Sequence, residues 1–449
     1  MRRSGRALAA VACLAIVAAA VSAAELLQPD ATYKDAQMEL RLAQRDTAGR
    51  ADDPARLDTL AVAQLRLARI EDATRTFQRV LNANPADPTA LAAMGKLALF
   101  ADRLTEADSL LGLAVARDRD REWVADLYAA KVRLGRYADA APIAEELGDI
   151  GRAEMLRVLA EQPSLQVTAG PDESRIPWAR IYPVPLVKAR VNGQVMLMAL
   201  DPGARDVLLD PKAVRRASVR SLSGQSPLSW LGNRVAASNA LVTQLEIGGM
   251  RVERVPASVL SLHKWSLSVN PQGEEVMGVI GLSVLRLFTP TFDYPGAALV
   301  LRRPGAYTPA TGSRAVPLET WGEADLMVWG HIAAGRKMAI QVQTGIPECG
   351  VAAPAGVFTE LGLKPGGVTK FVNKAGSWLG GHSWAKVGVP TVAVGDVTSG
   401  KVDGWSGAMD DAELWRHGIR RDAMLGNDFL RPWRVTFDWS ARRMVFEPK

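Results

Sequence analysis

The run MALDPGARDVLLD, residues 198–210, sets one carboxylate, Asp201, at the end of an apolar stretch and directly before a Pro-Gly turn. Taken alone, D-P-G is an ordinary β-turn signature in which the Asp shapes the bend. A second copy of the surrounding sequence changes that reading. SWLG occurs at residues 229–232 and again 148 residues later, at 377–380. IGLSVLRLFTPTFDYPGAALVL begins at Ile280, and LGNDFLRPWRVTFDWSARRMVF at Leu425. These two segments share seven of 22 positions without a gap, among them Gly281/Gly426, Arg286/Arg431, Thr291/Thr436, Phe292/Phe437 and Asp293/Asp438. Matching the glycines puts Asp201-Pro202-Gly203 opposite Gln343-Thr344-Gly345 in MAIQVQTGI, 142 residues on. The economical explanation is a duplicated lobe whose second copy has an amide where the first has an acid.

These residues resemble the retropepsin-like and pepsin-like aspartic proteases. That family carries D-[TS]-G-[AS] on a turn after an apolar strand, then in each lobe two apolar residues and a Gly, then a pattern like F-x-x-x-F-D-[YFW]. Val279-Ile280-Gly281 and Met424-Leu425-Gly426 fit the second element, and Phe292-Asp293-Tyr294 and Phe437-Asp438-Trp439 the third. LGNDFL, residues 425–430, is similar to bacterial members. The resemblance covers about residues 164–449 and implies a mainly-β, bilobal acid-protease fold. In that fold two carboxylates face each other and share one proton, since adjacent negative charges do not both form cheaply. One acid activates water and the other hydrogen-bonds the peptide carbonyl.

This chain supplies one of the two. Asp201 holds the catalytic position, and Gln343, which donates and accepts hydrogen bonds but does not titrate, holds the second. Without a like charge opposite, Asp201 is expected to be an ionised base with no acid beside it. Thr344 retains the hydroxyl that cross-links the two loops in the family, but Pro202 has neither a hydroxyl nor an N–H to return the grip. No hydroxyl follows the turn either, where Ala204, Arg205 and Asp206 stand. Glu348 is the acid nearest Gln343 in sequence that might replace the missing one were the chain an active endopeptidase. Asp293 and Asp438 sit at hairpin bends and are read as structural. The SWLG repeats fall where the family's flaps lie, so Trp230 and Trp378 are candidate flap and cleft residues, with burial in the core as the alternative.

The elements that position these loops differ in texture along the chain. Residues 25–160 are rich in Ala, Leu and Arg, with apolar residues at helical spacing. RIEDA at Arg69, RLTEA at Arg103 and RYADA at Arg136 recur at offsets of 34 and 33. A period near 34, with Gly95 and Gly135 placed near helix turns, resembles tetratricopeptide repeats, which stack helix pairs around a concave docking surface. Residues 161–178 have the Pro, Ser and Gly content of a linker. Beyond them, short alternating runs and tight turns predict strands, with one lobe over 179–305 and the other over 306–449. The whole is therefore an α+β multidomain chain, a helical solenoid followed by a two-lobed β region.

Residues 1–23 read as a signal peptide: a basic start at Arg2, Arg3 and Arg6, an apolar run, and small residues at 21–23. The expected location is periplasmic or secreted. Removing that leader leaves a net charge of +3 from +6, which makes no case for nucleic acid. No later segment is apolar enough to span a membrane. Cys349 is then the sole cysteine, the four histidines show no metal-ligand spacing, and no cofactor is called for. Three functions stay open: peptide or protein binding in the cleft with little cleavage, an active endopeptidase using Asp201, and a scaffold that binds a protein partner on the helical repeats.

Overall fold

The computed structural model describes residues 33–49, 52–230, 233–366, 384–409 and 414–448. The expected signal peptide and Trp378 lie outside the described residues. Eight helices come first: α1 (Tyr33–Ala48), α2 (Pro54–Arg66), α3 (Ile70–Ala83), α4 (Pro88–Phe100), α5 (Leu104–Val115), α6 (Arg121–Arg133), α7 (Tyr137–Glu146) and α8 (Ile150–Glu161). Two compact units divide the chain between Ala90 and Leu91, and a segment ending at Arg420 groups with the first unit. In that unit the Arg420 N–H donates to the Arg66 carbonyl, and its guanidinium lies over the Tyr33 ring.

The 34- and 33-residue periods correspond to one turn made three times. Arg69, Arg103 and Arg136 each precede a helix with nearly the same backbone angles (φ −81, −87 and −81°). Each follows a left-handed residue, Ala68, Asp102 or Gly135. Each donates its N–H five residues back, to Gln64, Ala98 or Lys131, at 2.9 Å. A left-handed residue closing a helix and reversing the chain is a helix-hairpin device. Gly135 sits in such a turn at φ +71°. Gly95 does not: it lies inside α4, where a Cβ would stand 2.7 Å from Leu111 of α5. Its smallness serves a helix crossing rather than a turn.

The first lobe is built from β1 (Gln166–Ala169), β2 (Glu173–Pro177), β3 (Leu186–Val191), β4 (Gln194–Leu200), β5 (Val207–Leu209), α9 (Pro211–Arg216), β6 (Arg220–Trp230), β7 (Asn233–Ile247), β8 (Met250–Val259), α10 (His263–Val269), β9 (Val276–Ile280), α11 (Leu282–Leu285), β10 (Thr289–Asp293) and β11 (Ala298–Arg302). The second has β12 (Arg314–Pro317), β13 (Glu319–Trp321), β14 (Asp325–Ile332), β15 (Met338–Val342), β16 (Val351–Ala353), α12 (Ala355–Glu360), β17 (Ala385–Val389), β18 (Val392–Val394), β19 (Val397–Thr398), β20 (Val402–Ser406), β21 (Ala423–Leu425), α13 (Asn427–Leu430), β22 (Arg434–Asp438) and β23 (Arg443–Glu447).

Residues 161–178 are not a linker. β1 pairs with β8, and β2 pairs with β11 through five residues. The Pro, Ser and Gly content marks the turns around these strands, while Ser174 and Ile176 alternate inward in β2.

Both lobes repeat one pairing scheme. In the first, β9 lies between β4 (parallel) and β5 (antiparallel), and β5 pairs in parallel with β8. In the second, β21 lies between β15 (parallel) and β16 (antiparallel), and β16 pairs in parallel with β20. A third sheet, in the order β12-β23-β22-β10-β11-β2, draws strands from both halves. At its centre the duplicated residues meet their own copies. Thr291 stands opposite Thr436 with hydroxyls 2.7 Å apart, and the Phe292 and Phe437 rings are 5.5 Å apart. A local two-fold axis runs through this pair. One apolar cluster draws residues from Ile176 to Phe446, Phe292 and Phe437 among them.

Candidate active site

Asp201 follows β4 and Gln343 follows β15, and the two are held alike. The Asp201 N–H donates to the Ile280 carbonyl at the end of β9 (3.1 Å), and the Gln343 N–H to the Leu425 carbonyl at the end of β21 (2.9 Å). Each turn therefore hangs from the central strand of its own lobe. Gly281 and Gly426 follow those strands, where a Cβ would come within 2.2 Å of the Asp206 carbonyl and 2.3 Å of the Cys349 carbonyl. That close backbone approach explains why both copies of the motif keep a glycine.

The two turns face each other. Gln343 Nε2 lies 3.4 Å from Asp201 Oδ2. Asp201 Oδ1 accepts the backbone N–H groups of Gly203 (2.9 Å) and Thr344 (3.0 Å), and the Thr344 hydroxyl lies 3.4 Å from it. The two glycines wall the pair crosswise. A Cβ on Gly345 would stand 2.3 Å from Asp201 Oδ2, and one on Gly203 would stand 2.4 Å from Gln343 Oε1.

Thr344 makes its half of the grip: its buried hydroxyl donates to the Leu200 carbonyl at 2.7 Å. The reciprocal bond is missing because Pro202 carries no donor at that point. Asn427 and Tyr294 were read in the sequence only as parts of their motifs, with no role assigned. Buried Asn427 donates to the Thr344 carbonyl at 2.6 Å and accepts from the Tyr294 hydroxyl at 2.7 Å. The available signal was a polar Asn in LGNDFL where the first copy has Leu282.

Asp201 is 1% exposed. Burial pushes its carboxyl above the ordinary carboxylate range, and hydrogen bonds from Gly203, Thr344 and Gly345 only partly offset this. Asp201 is therefore harder to ionise than an exposed aspartate. Gln343 beside it carries no charge, and desolvation alone raises the group. Glu348 does not stand in for the missing acid; it hydrogen-bonds Tyr182. Asp293 and Asp438 serve their bends. Each accepts from the N–H three residues on, Gly296 at 2.8 Å and Ala441 at 3.2 Å, and each pairs with an arginine, Arg175 and Arg443.

Trp230 ends strand β6 of a long β6–β7 hairpin. Its ring meets Trp265 of α10 edge-on, with centroids 5.5 Å apart. Trp265 is buried, and its indole N–H has no hydrogen-bond partner. The hairpin, whose β7 also pairs with β3 and β8, meets the last helix of the arm as well. Glu154 of α8 accepts from the Ser223 N–H at 3.1 Å and from its hydroxyl. A Cβ on Gly224 would meet the Gly151 Cα at 2.8 Å, so the two backbones touch. The β6–β7 register breaks between Ser221 and Gln225, where α8 rests.

Arm and acid turn are also joined by buried charge. Arg152 of α8 pairs with Asp206 at 2.8 Å and with Glu323 of the second lobe. Arg205 pairs with the same two acids, and Tyr128 donates to Glu323 at 3.2 Å. Among the described residues no cluster of His, Cys, Asp and Glu has metal-site geometry.

The family model described as aspartyl protease matches residues 187–284, which span β3 to α11 and include the acid turn. No curated protein matches the chain. The crystal structure of an aspartic proteinase from Irpex lacteus aligns with a TM-score of 0.41 at 10% identity, over 62% of this chain and 97% of that one. The β region has an aspartic-protease-like fold, and this assignment rests on the first-lobe match and on the strand order repeated in the second lobe.

Proposed function

We propose that the protein is an exported member of the aspartic-protease-like group that holds an extended peptide or protein segment between its lobes with little or no cleavage. The observation that carries this reading is Gln343 facing Asp201 across the two turns, with Nε2 3.4 Å from Oδ2. A single buried carboxyl cannot be at once the base that activates water and the acid that polarises the carbonyl. An extended peptide binds through backbone hydrogen bonds and side-chain pockets, which do not need the second acid. Trp230 at the end of its hairpin supplies an aromatic wall for such a segment. The arm, read as tetratricopeptide-like, adds a surface for a protein partner, and the Arg-Arg leader directs export to the periplasm or beyond.

The test is cleavage of a peptide library by the mature protein from pH 3 to 8, beside Asp201→Ala and Gln343→Asp. The expected result is no turnover by the unaltered protein, retained peptide binding in Asp201→Ala, and turnover appearing in Gln343→Asp. Turnover by the unaltered protein that disappears in Asp201→Ala would establish the active endopeptidase instead. Peptide binding that survives alteration of the cleft and is lost with the arm would favour the scaffold.

A further inference from the structure

Behind the acid turn, where α6 and α8 meet both lobes, lies a cavity of about 140 Å³. Its walls carry three buried polar atoms with no hydrogen-bond partner: Arg133 Nε, Arg286 Nε and Ser283 Oγ. Native proteins rarely leave such groups bare, and each calls for a water or an ion. Charge separates these two. Arg152 and Arg205 line the same cavity but are matched by Asp206 and Glu323. Arg133 is matched by Asp102 at 2.6 Å. Arg286 makes no ion pair among the described residues. Its contacts are the Thr320 hydroxyl and the face of Trp439, 5.7 Å away. Burial and the neighbouring Arg133 push its guanidinium down to about 10. Water would satisfy the donors but not neutralise a buried cation, whereas an anion does both.

We propose that this cavity is a binding site for a small oxyanion, a phosphate or a carboxylate, held by Arg286 and Arg133 with Ser283 donating a third hydrogen bond. Planar guanidiniums suit paired oxygens, and a hydroxyl beside them suits a third. The site is separate from the Asp201 turn and does not depend on cleavage or peptide binding. Because its walls come from the arm and from both lobes, an occupant would tie the three together.

The experiment is titration calorimetry and thermal melting of the mature protein with inorganic phosphate, and separately with malonate, at ionic strength matched by sodium chloride. The variants are Arg286→Gln, Ser283→Ala and, as a control, Arg119→Gln, exposed and outside the cavity. One-to-one binding with a raised melting temperature is expected for at least one of the two anions, which also tells phosphate from carboxylate. Arg286→Gln should weaken that binding tenfold or more and Ser283→Ala severalfold, with the control unchanged. Near-ultraviolet circular dichroism establishes that each variant is folded, and Ser283→Ala preserves the test if Arg286→Gln is not. Equal melting shifts with chloride, no saturable binding, or binding indifferent to both substitutions would overturn the proposal and leave a cavity of water.

Discussion

Substituting the two turn glycines one at a time tests the crosswise arrangement around Asp201. In Gly345→Ala the new Cβ would lie 2.3 Å from Asp201 Oδ2 and 3.1 Å from its Cγ. Relief requires the carboxylate to move by about 1 Å, because ordinary contact begins near 3.4 Å. That shift stretches the bonds from Gly203 and Thr344 to Oδ1, now 2.9 and 3.0 Å, beyond useful range. Hydrogen bonds to a charged group contribute about 1.5–3 kcal/mol each, and overpacking a tight core costs about 1–3 kcal/mol. Allowing for relaxation, the net destabilisation is about 2–4 kcal/mol. In Gly203→Ala the Cβ meets the amide end of Gln343, which is half-buried and rotates away, and stands 3.1 Å from Asp201 Oδ1, which needs to give by only a few tenths of an ångström, so the cost is about 1 kcal/mol. Urea unfolding followed by tryptophan fluorescence should separate the two variants by about 1 M in midpoint. In an Asp201→Ala background the Gly345→Ala penalty should largely vanish, which the double-mutant cycle reads directly. Equal costs for the two glycines, or a penalty unchanged in the Asp201→Ala background, would refute the proposed geometry.

Four further outcomes follow from the arm and its joints. Arg152→Ala leaves Asp206 and Glu323 buried with only Arg205 between them, and denaturation should register a loss of about 3–5 kcal/mol. Glu323 is held below its usual range once its charged neighbours outweigh burial, so its stabilisation is present at neutral pH and lost as pH falls through its folded-state value. Asp58 of α2 behaves oppositely, since burial and nearby Asp87 push it up to about 7. Its favourable contribution is complete below the unfolded value of 3.8 and lost as pH rises through about 7, so Asp58→Asn should flatten the melting temperature of the helical unit from pH 5 to 8. Finally, Glu154→Ala removes both bonds to Ser223, and amide exchange should quicken through residues 220–240 with the acid turns unaffected.

How far the sequence could be read depended on whether a residue's role is local or shared. The acid turn and its altered copy were legible because backbone constraints are written in residue type. Gly281 and Gly426 must be glycines where the carbonyls of Asp206 and Cys349 approach, and Thr291 and Thr436 pack against each other. Two such motifs at matching spacing exposed the duplication. The 34-residue period was legible for the same reason, since each turn needs one left-handed residue at a fixed place. What stayed hidden lies in contacts between distant segments. Nothing near Ser223 announces that Glu154 will hold it, and nothing near Asp206 announces Arg152. The strands within 161–178 were masked by their turn residues, because a four- or five-residue strand between Gly and Pro has too little periodicity to show. The upward pull of burial on Asp201 was not legible either, because a sequence shows which charges are present but not how deeply one of them is buried.

The sheet shared by the lobes has a consequence for how this chain reaches its native state. Its order interleaves β2, which begins at Glu173, with β23, which ends at Glu447. Pairings such as Thr291 with Thr436 close loops of well over a hundred residues, and contacts so remote in sequence slow folding. β10 has β22 as its neighbour on one side, so the first half cannot complete this sheet while the chain is still being made. Only with residues 443–447 in place can β23 pair with β12 and β22 and complete the sheet. Removing β23 should therefore compromise both halves together rather than the second alone, and until β22 and β23 are in place β10 and β12 present open edges that must be kept from pairing elsewhere.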